Sequence, residues 1–362
     1  MRVGVLGAWS IDNSGDAIVG YATRRALRAR LPGAEIIAFA PRFEGAQWSH
    51  DVTRARGIDG PITAVPVDDL AWARELDALV IGGGGIVNFN PQFRSFLLGD
   101  TAWSGPRVAW NGVCSQNTPA YAATDEQRAL VRRCCEHLAY ASVRNTTTAK
   151  LVRACGYTGE LHVVPDPAFE DLGLAPARPD RFTIALSAGA ALASPRAEEF
   201  FSTLFGELSR ALRARSGELV LVPSGGVYGD ATAHEQLATR LGARCVRPDS
   251  PLDVWRALGE AHVVLAARLH AVIAAISLGV PFLALDEYFS DQIASSKIRE
   301  LLVELDLEAH YTCPLVSRNP APKLAHVLGL AGEDRFGDLV AHQRRRLDAH
   351  WSAMIRALGL AC

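Results

Sequence analysis

The stretch that decides the fold is Ala261–Pro281, with the sequence AHVVLAARLHAVIAAISLGVP. It opens with an almost wholly apolar run, which predicts a buried β-strand. From Ala271 an apolar helix is expected to run to Leu278 and to stop at Gly279. A strand that passes directly into a helix is the unit from which parallel α/β sheets are built. The stretch therefore predicts one strand–turn–helix unit of such a sheet.

Arg268 and His270 lie where this strand gives way to the helix. Backbone N–H groups and the positive end of the helix dipole attract anions at such a junction. Side chains two residues apart share a side in extended backbone but lie about 200° apart on a helix. The pair can grip one small, multiply charged anion only if the chain is non-helical at Leu269, which is what we predict. The alternative for His270 is a core histidine with its hydrogen bonds satisfied.

Length and composition indicate a soluble enzyme of two domains. The chain has 362 residues, 49% of them hydrophobic and 21% charged, with a net charge of −2. This charge balance argues against a nucleic-acid partner. No apolar run reaches the ~20 residues of a membrane span, although peripheral membrane contact stays open. The seven scattered cysteines contain no Cys-x-x-Cys pair, which favours a reducing cytoplasm and argues against a cysteine-built metal site.

Short apolar strands alternate with amphipathic helices along the whole chain. This order predicts parallel sheets with crossover helices in two halves, joined by the proline- and charge-rich segment Glu170–Arg181. We predict a Rossmann-like domain over 1–172, a second over 181–335, and a C-terminal helix over 336–362 that packs back on the first. The two domains are expected to face each other across a cleft, with ligands at the carboxyl ends of the strands.

Two loops in the first half carry candidate residues. Asn13-Ser14-Gly15-Asp16 follows the first strand and is no Gly-x-Gly-x-x-Gly fingerprint, so neither a nicotinamide nor a flavin cofactor is indicated. Asp16 is either an early helix residue, with Asn13 or Ser14 as the cap, or a carboxylate turned toward a ligand. Four glycines at 82–85 favour a loop whose backbone approaches a ligand, with Gly83 and Gly84 at its centre.

Arg144 and Lys297 are further cationic candidates. Arg144 ends the predicted strand Leu138–Val143, and Asn145 then takes the N-cap position of a helix. Because the order strand, arginine, helix recurs in the two halves, Arg144 and Arg268 are expected to bind opposite ends of one anion, unless Arg144 is a surface arginine. Lys297 is either a substrate-binding residue or a solvated lysine at a helix start. No metal-binding spacing, serine elbow or Walker loop is present, so we expect no metal.

Together these motifs resemble the polysaccharide pyruvyl transferase family. The similar pieces, in the expected order, are Asn13–Ala17, the glycine run at 82–85, Ser142–Arg144, Pro165–Phe169, and Arg268–Ala271 with Gly279–Pro281. The Arg-Leu-His-Ala sequence with its Gly-Val-Pro partner is the most specific. This chain departs from the family at Asn145, where an aspartate often follows the arginine. Asparagine serves equally well as a helix cap, but not if that aspartate has a catalytic or orienting role.

The resemblance implies a GT-B-like fold and transfer of the enolpyruvyl group of phosphoenolpyruvate onto sugar hydroxyls as a pyruvate ketal, with release of phosphate. The C-terminal domain would bind this donor and the N-terminal domain a carbohydrate or glycan-like acceptor, and no cofactor is implied. Homo-oligomerisation stays open. The substrate-binding candidates are Arg144, Arg268, Leu269, Asn13, Gly83, Gly84 and Lys297, and the catalytic candidates are His270 and Asp16. Two alternatives remain: a GT-B glycosyltransferase that uses a nucleotide-activated sugar, and a sugar- or phosphate-binding module that has lost catalysis.

Overall fold

The computed structural model describes residues 1–8, 13–41, 62–66, 70–87, 96–98, 103–115, 123–188, 198–225, 230–286, 296–314, 317, 319–333 and 335–360. The chain divides into two compact units. The first consists of Met1–Asp12, Asp16–Leu172 and Gln343–Cys362, and the second of Asn13–Gly15 and Gly173–His342. Each unit contains one parallel six-stranded sheet.

The sheet of the first unit is built from short, almost wholly apolar strands. They are β1 (Arg2–Leu6), β2 (Glu35–Pro41), β3 (Ile62–Val65), β4 (Ala78–Gly82), β5 (Arg107–Asn111) and β6 (Leu138–Tyr140). Their spatial order is β3-β2-β1-β4-β5-β6, with every neighbouring pair parallel. Helices α1 (Ser14–Arg30), α2 (Asp125–His137) and α3 (Thr146–Ala154) follow β1, β5 and the end of this sheet. Strands β1 and β4 are buried because parallel sheets are covered on both faces.

The prediction of one strand over Leu138–Val143 is wrong. The chain leaves the main sheet after Tyr140, and Ser142–Val143 forms a separate strand, β7, paired in parallel with β8 (His162–Val163). Beside this break the Oγ of Ser142 donates to the carbonyl of Trp110 at 2.6 Å and accepts the backbone N–H of Gly112 at 2.9 Å. Val143 forms an isolated parallel bridge with Val113, beyond the end of β5.

The sheet of the second unit repeats the topology of the first. Its strands are β9 (Thr183–Ser187), β10 (Glu218–Leu221), β11 (Arg244–Cys245), β12 (Val263–Ala266), β13 (Phe282–Leu285) and β14 (Tyr311–Thr312), in the order β11-β10-β9-β12-β13-β14. Its helices are α4 (Glu198–Ala214), α5 (Asp230–Leu241), α6 (Pro251–Gly259), α7 (Leu269–Ser277), α8 (Lys297–Glu304) and α9 (Ala321–Gly329). The core includes Ile184, Leu186, Leu204, Leu221, Leu265 and Leu283, each 0% exposed.

Both sheets change direction at the same point in their strand order. The first sheet extends one way from β1 and the other way from β4, and the second does so at β9 and β12. Ligands of such sheets bind outside the carboxyl ends of the strands at this switch point. The predicted α/β class with two Rossmann-like sets of strands is thereby confirmed. The residues that follow β1, β4, β9 and β12 are therefore the candidates for ligand binding.

The chain ends in a long helix, α10 (Gly337–Ala357), of which the residues from Gln343 onward belong to the first unit. Trp351 of this helix is 0% exposed, and its indole Nε1 donates to Glu170 at 2.8 Å. Arg344 donates to the carbonyl of Phe169 and pairs with Asp171. Among the residues that the structure describes, no helix has the length and apolar content to cross a membrane.

Candidate functional site

Arg268 is the N-cap residue of α7, and the helix begins immediately after it. Arg268 is extended, with φ −116° and ψ 135°, whereas Leu269 is the first helical residue. The prediction of a non-helical Leu269 is therefore wrong. The physical reason is that the carbonyl of Arg268 accepts the N–H groups of Ala271 at 3.0 Å and Val272 at 3.1 Å, which closes the first turn two residues earlier than expected. The 200° separation of two helical residues nevertheless does not apply to Arg268 and His270, because Arg268 itself is extended.

The side chain of Arg268 forms a two-point ion pair with Asp230, the first residue of α5. Nε of Arg268 donates to Oδ2 of Asp230 at 2.9 Å, and Nη2 donates to Oδ1 at 2.5 Å. The Asp230 side chain is 1% exposed, whereas that of Arg268 is 31% exposed. Such side-by-side pairing fixes the plane of a guanidinium as well as its position. Arg268 is thus held in one orientation by a buried carboxylate.

His234 lies one helical turn after Asp230 and connects it to the end of β9. Its Nδ1 donates to the carbonyl of Asp230 at 2.7 Å, and its Nε2 accepts the backbone N–H of Ala188 at 3.1 Å. A carbonyl only accepts and an amide N–H only donates, so this arrangement selects the neutral tautomer protonated on Nδ1. Burial lowers the pKa of His234, although the hydrogen bond to Asp230 acts in the opposite direction.

His270 lies against Asn13–Gly15, a segment that belongs to the same, second unit. A β-carbon built on Gly15 would be 2.1 Å from Nδ1 of His270. Ser14 donates its backbone N–H to the carbonyl of Ser224 at 2.7 Å. Oδ1 of Asn13 accepts the N–H of Gly15 at 2.9 Å, which confirms Asn13 as a cap of α1. His270 therefore lies beside Gly15, whose N–H binds the side chain of Asn13, another predicted site residue.

Lys297 begins α8 at the same end of the second sheet. Its preceding residue, Ser296, caps the helix by accepting the N–H of Arg299 and also donates to the carboxylate of Asp286, which directly follows β13. The hydroxyl of Tyr311 donates to the same Asp286 oxygen at 2.9 Å. Burial and the nearby Asp286 raise the pKa of Tyr311. We call the residues that follow the carboxyl ends of β9, β10, β12 and β13 the second-sheet rim; it includes Ala188, Ser224, Asp230, Arg268, His270, Asp286 and Lys297.

Arg144 is held differently, inside the first unit. Its Nη1 lies 2.5 Å from Oδ2 of Asp166, and the two side chains are 6% and 3% exposed. Burial alone would lower the pKa of this arginine, but the attraction of Cys114, Asp166 and Asp16 outweighs burial and raises it. Asp166 also caps a short 3-10 turn by accepting the N–H of Ala168. Arg144 is therefore a permanently charged, buried group.

The glycine run lies against α1 of the first unit. Gly83 and Gly84 have positive φ values of 46° and 84°, which favour glycine. A β-carbon would be 1.8 Å from Val19 at Gly83 and 2.7 Å from Oδ1 of Asp16 at Gly84. The structure thus brings Gly84 and Asp16 together. The N–H of Gly83 donates to the carbonyl of Asn111 at 2.9 Å, so packing accounts for this glycine.

Asn145 is confirmed as the N-cap of α3. Its Oδ1 accepts the N–H of Thr148 at 3.0 Å, and the residue is 8% exposed. Asparagine and aspartate cap helices about equally well. The departure from the family pattern at this position therefore leaves the helix start intact.

Four residues of these networks are not among the predicted site residues: Asp166, Asp230, His234 and Asp286. Asp166 stands between two prolines in the family motif Pro165–Phe169, which is a signal that could have identified it. Asp230 and His234 carry no such local signal, because Asp230 meets Arg268 across 38 positions of the chain. Within the described ranges, no group of three or more histidine, cysteine or acidic side chains is arranged to hold a metal ion.

The two parallel sheets and their strand order are those of the GT-B fold, as the similar solved structures show. A UDP-GlcNAc 2-epimerase from Neisseria meningitidis, solved with UDP-GlcNAc, is similar with a TM-score of 0.56 at 9% identity, covering 98% of this chain and 100% of its own. The epimerase of Methanocaldococcus jannaschii has the same TM-score and identity over 97% and 99%. The spinosyn rhamnosyltransferase SpnG, complexed with thymidine diphosphate, reaches 0.52 at 16% identity over 99% and 100%. At these identities the likeness concerns the fold alone.

The family follows from the sequence itself. The polysaccharide pyruvyl transferase family model matches residues 13–287, which include the Arg268–Ala271 motif and most of both sheets. The chain belongs to this family, and the resemblance stated from the motifs is confirmed. A comparison with curated proteins gave no match in sequence.

Proposed function

We propose that this protein transfers the enolpyruvyl group of phosphoenolpyruvate onto two hydroxyls of a carbohydrate, forming a pyruvate ketal and releasing phosphate. The observation that carries the proposal is the second-sheet rim, where Arg268, His270 and Lys297 follow strands of one parallel sheet in a chain of this family. A donor with both a phosphate and a carboxylate matches a rim that offers a guanidinium, an imidazole and a helix start with its lysine.

The reaction sets the demands on these residues. In the first step C3 of the enol takes a proton while one sugar hydroxyl attacks C2 and loses its own proton. In the second step another hydroxyl of the same sugar attacks C2 and loses its proton, which passes to the leaving phosphate as the C–O bond to phosphate breaks. The products are the ketal and inorganic phosphate. The chemistry needs a general acid, a general base and cations around the leaving phosphate.

The residues are assigned roles on this basis. In the proposal Arg268 and Lys297 hold the anionic donor, with Leu269 and Asn13 beside them, and His270 acts as the acid or as a phosphate ligand. In the first unit Asp16 is the proposed base, next to Gly83 and Gly84. Arg144 is the proposed second donor-binding arginine, and its raised pKa supports a charge that persists at any working pH. We further propose a cytoplasmic role in polysaccharide biosynthesis.

A second candidate is transfer from a nucleotide-activated sugar. It is favoured by the nucleotide ligands of the similar structures, which are UDP-GlcNAc in one and thymidine diphosphate in another. The two candidates differ in their donor, so binding separates them. Phosphoenolpyruvate should raise the melting temperature of the purified protein and bind in calorimetry, while UDP-GlcNAc and dTDP-sugars should do neither. Stabilisation by the nucleotide sugars alone would replace the proposal.

The acid and base assignments have their own test. We expect His270→Ala and Asp16→Ala to retain the fold and to lose turnover, each removing one limb of the pH profile of kcat. Full turnover with an unchanged pH profile would refute the role of the residue concerned.

A further inference from the structure

The ion pair between Arg268 and Asp230 is a two-point contact within the second-sheet rim. We infer that Asp230, held in place by His234, is a positioning residue that orients Arg268 for two-point capture of the anionic donor. The inference rests on the proposed function of Arg268. It assigns a role to two residues that would not touch the substrate.

The geometry of the pair determines what Arg268 presents. A guanidinium is planar and has two edges that each offer a fork of two donors. Asp230 takes the edge formed by Nε and Nη2, at 2.9 and 2.5 Å. With that edge fixed, the plane and the direction of the second edge, formed by Nη1 and Nη2, are fixed as well. A carboxylate or phosphate matches that second edge in the same bidentate way.

Asp230 is linked by hydrogen bonds to residues that follow both β9 and β12, the two strands at the switch point. His234 binds the carbonyl of Asp230 with Nδ1 and the N–H of Ala188 with Nε2. Ala188 directly follows β9, and the next strand, β12, leads to Arg268. At the ends of these two strands, the N–H of Ala267 donates to the carbonyl of Ser187 at 2.7 Å. The hydrogen bonds from β9 through His234 to Asp230 thus join buried groups, and Asp230 in turn holds the partly exposed Arg268, as accurate positioning requires.

A buried carboxylate beside a binding site for anions has two opposing effects. Its charge repels the ligand, so on electrostatic grounds alone its removal would tighten binding. Its hydrogen bonds orient the arginine, so on geometric grounds its removal would weaken binding. We expect the loss of orientation to outweigh the loss of repulsion. The sign of the change in affinity therefore distinguishes positioning from mere charge balance.

The test compares Asp230→Asn with the matched variant Asp253→Asn. Asp253 is also an aspartate in the first turn of a helix that pairs with an arginine, Arg256, but it lies outside the rim. We expect Asp230→Asn to weaken phosphoenolpyruvate binding about tenfold in calorimetry and to weaken the binding of inorganic phosphate to a similar extent. In turnover assays the variant should raise KM more than it lowers kcat. Asp253→Asn should bind as the wild type does. Binding by Asp230→Asn that equals or exceeds that of the wild type would overturn the inference.

His234 supplies the second pair of variants. His234→Gln keeps an acceptor that can reach the N–H of Ala188, whereas His234→Leu keeps none. We expect binding to fall most in His234→Leu and to be partly rescued in His234→Gln. Equal affinity in both and in the wild type would show that His234 does not hold Asp230, and would overturn its part of the inference even if Asp230→Asn failed to fold.

A readout without donor separates this inference from the proposed function. In spectra of protein labelled with ¹⁵N-arginine, the Nε–H signal that disappears in Arg268→Lys belongs to Arg268. We expect this signal to be protected from solvent exchange in the wild type and to lose protection in Asp230→Asn. If the wild type binds no phosphoenolpyruvate, the proposed function fails, and this signal still decides the positioning. An Arg268 signal that is equally exchangeable in both proteins would overturn it.

Discussion

A β-carbon on Gly15 would lie 2.1 Å from Nδ1 of His270 and 3.0 Å from its Cβ. Both residues belong to the second unit, and no side chain fits between them. Gly15 stands in the first turn of α1, where backbone conformation does not require glycine. The contact with the imidazole is therefore what requires glycine at this position.

Gly15→Ala is predicted to displace the His270 ring while leaving the fold intact. The added methyl group would overlap Nδ1 at 2.1 Å and Cγ at 2.6 Å, so the imidazole ring must move away from its position beside Gly15. We expect kcat/KM for phosphate release to fall about a hundredfold, as displacements of about 1 Å do. Gly206→Ala is the matched control, since a β-carbon there meets nothing within 4 Å, and should leave turnover unchanged. Unchanged turnover in Gly15→Ala would contradict the catalytic role of His270.

The buried pair of Arg144 and Asp166 predicts a large effect on stability. Asp166→Asn keeps the cap on Ala168 but removes the charge opposite a guanidinium that is 6% exposed. We expect the free energy of unfolding in urea to fall by about 3 kcal/mol. Asp171→Asn removes a carboxylate that is 60% exposed in its pair with Arg344, and should change stability by less than about 0.5 kcal/mol. Equal effects of the two variants would show that burial does not decide the outcome.

The strand–turn–helix unit around Arg268 was predictable because its pattern is local. Apolar runs of strand and helix length alternate there, and helix caps such as Asn13 and Asn145 follow from residue type and position. The start of α7 was misplaced because the chain turns helical as soon as the carbonyl of Arg268 accepts two N–H groups, which residue types do not reveal. A strand as short as β3, with four residues, shows no period from which it could be predicted.

His350 predicts how stability depends on pH. Its Nδ1 accepts from Tyr140 at 3.0 Å and its Nε2 donates to Oδ1 of Asn111 at 2.8 Å, whose amide nitrogen donates in turn to Thr23. This neutral network lies inside the first unit. Burial, with smaller contributions from His162 and Arg30, lowers the pKa of His350 to about 3.

The sign follows from the lowered pKa. Above pH 6.5, about the pKa of a histidine in the unfolded chain, His350 is neutral in both states and its hydrogen bonds stabilise the fold. Below that pH the unfolded chain takes up a proton on His350 while the folded protein does not, which favours unfolding. This stability is lost as the pH falls from about 6.5 toward 3, by about 1.4 kcal/mol per pH unit. The pKa values of His234, His262 and His310 are lowered too and add to the wild-type slope. Urea unfolding at a series of pH values should therefore show the same slope in the wild type and in His137→Gln, a change at an exposed histidine, and a shallower slope in His350→Gln. An unchanged slope in His350→Gln would exclude His350 as its source.

Lys297 is predicted to act on the donor rather than on the fold. It is half-buried at the start of α8, while the cap belongs to Ser296 and Asp286. Lys297→Ala should therefore leave the melting temperature unchanged and weaken phosphoenolpyruvate binding about tenfold, the typical value of one charge-assisted contact. Arg299→Ala, an exposed change in the same helical turn, should do neither. A loss of stability without a loss of affinity would assign Lys297 to the fold.

The residues around the predicted site could not be found from the sequence, because they meet the site residues only after folding. Asp230 is separated from Arg268 by 38 positions and Asp166 from Arg144 by 22. Asp166 at least stands between two prolines in one of the family motifs, whereas nothing near Asp230 distinguishes it from an ordinary helix-start residue. What the sequence does indicate is the need for such partners, because an arginine amid Val, Leu and Ala is rarely buried unpaired.

The most direct measurement is the release of inorganic phosphate from phosphoenolpyruvate by the purified protein across a panel of carbohydrates, with mass spectrometry of the acceptors. The account predicts phosphate release that depends on an acceptor with two suitably placed hydroxyls and yields a pyruvate ketal in equal amount. It also predicts that Arg268→Lys abolishes both products together. Binding of phosphoenolpyruvate without phosphate release from any acceptor, or glycosyl transfer from a nucleotide sugar in its place, would contradict the account.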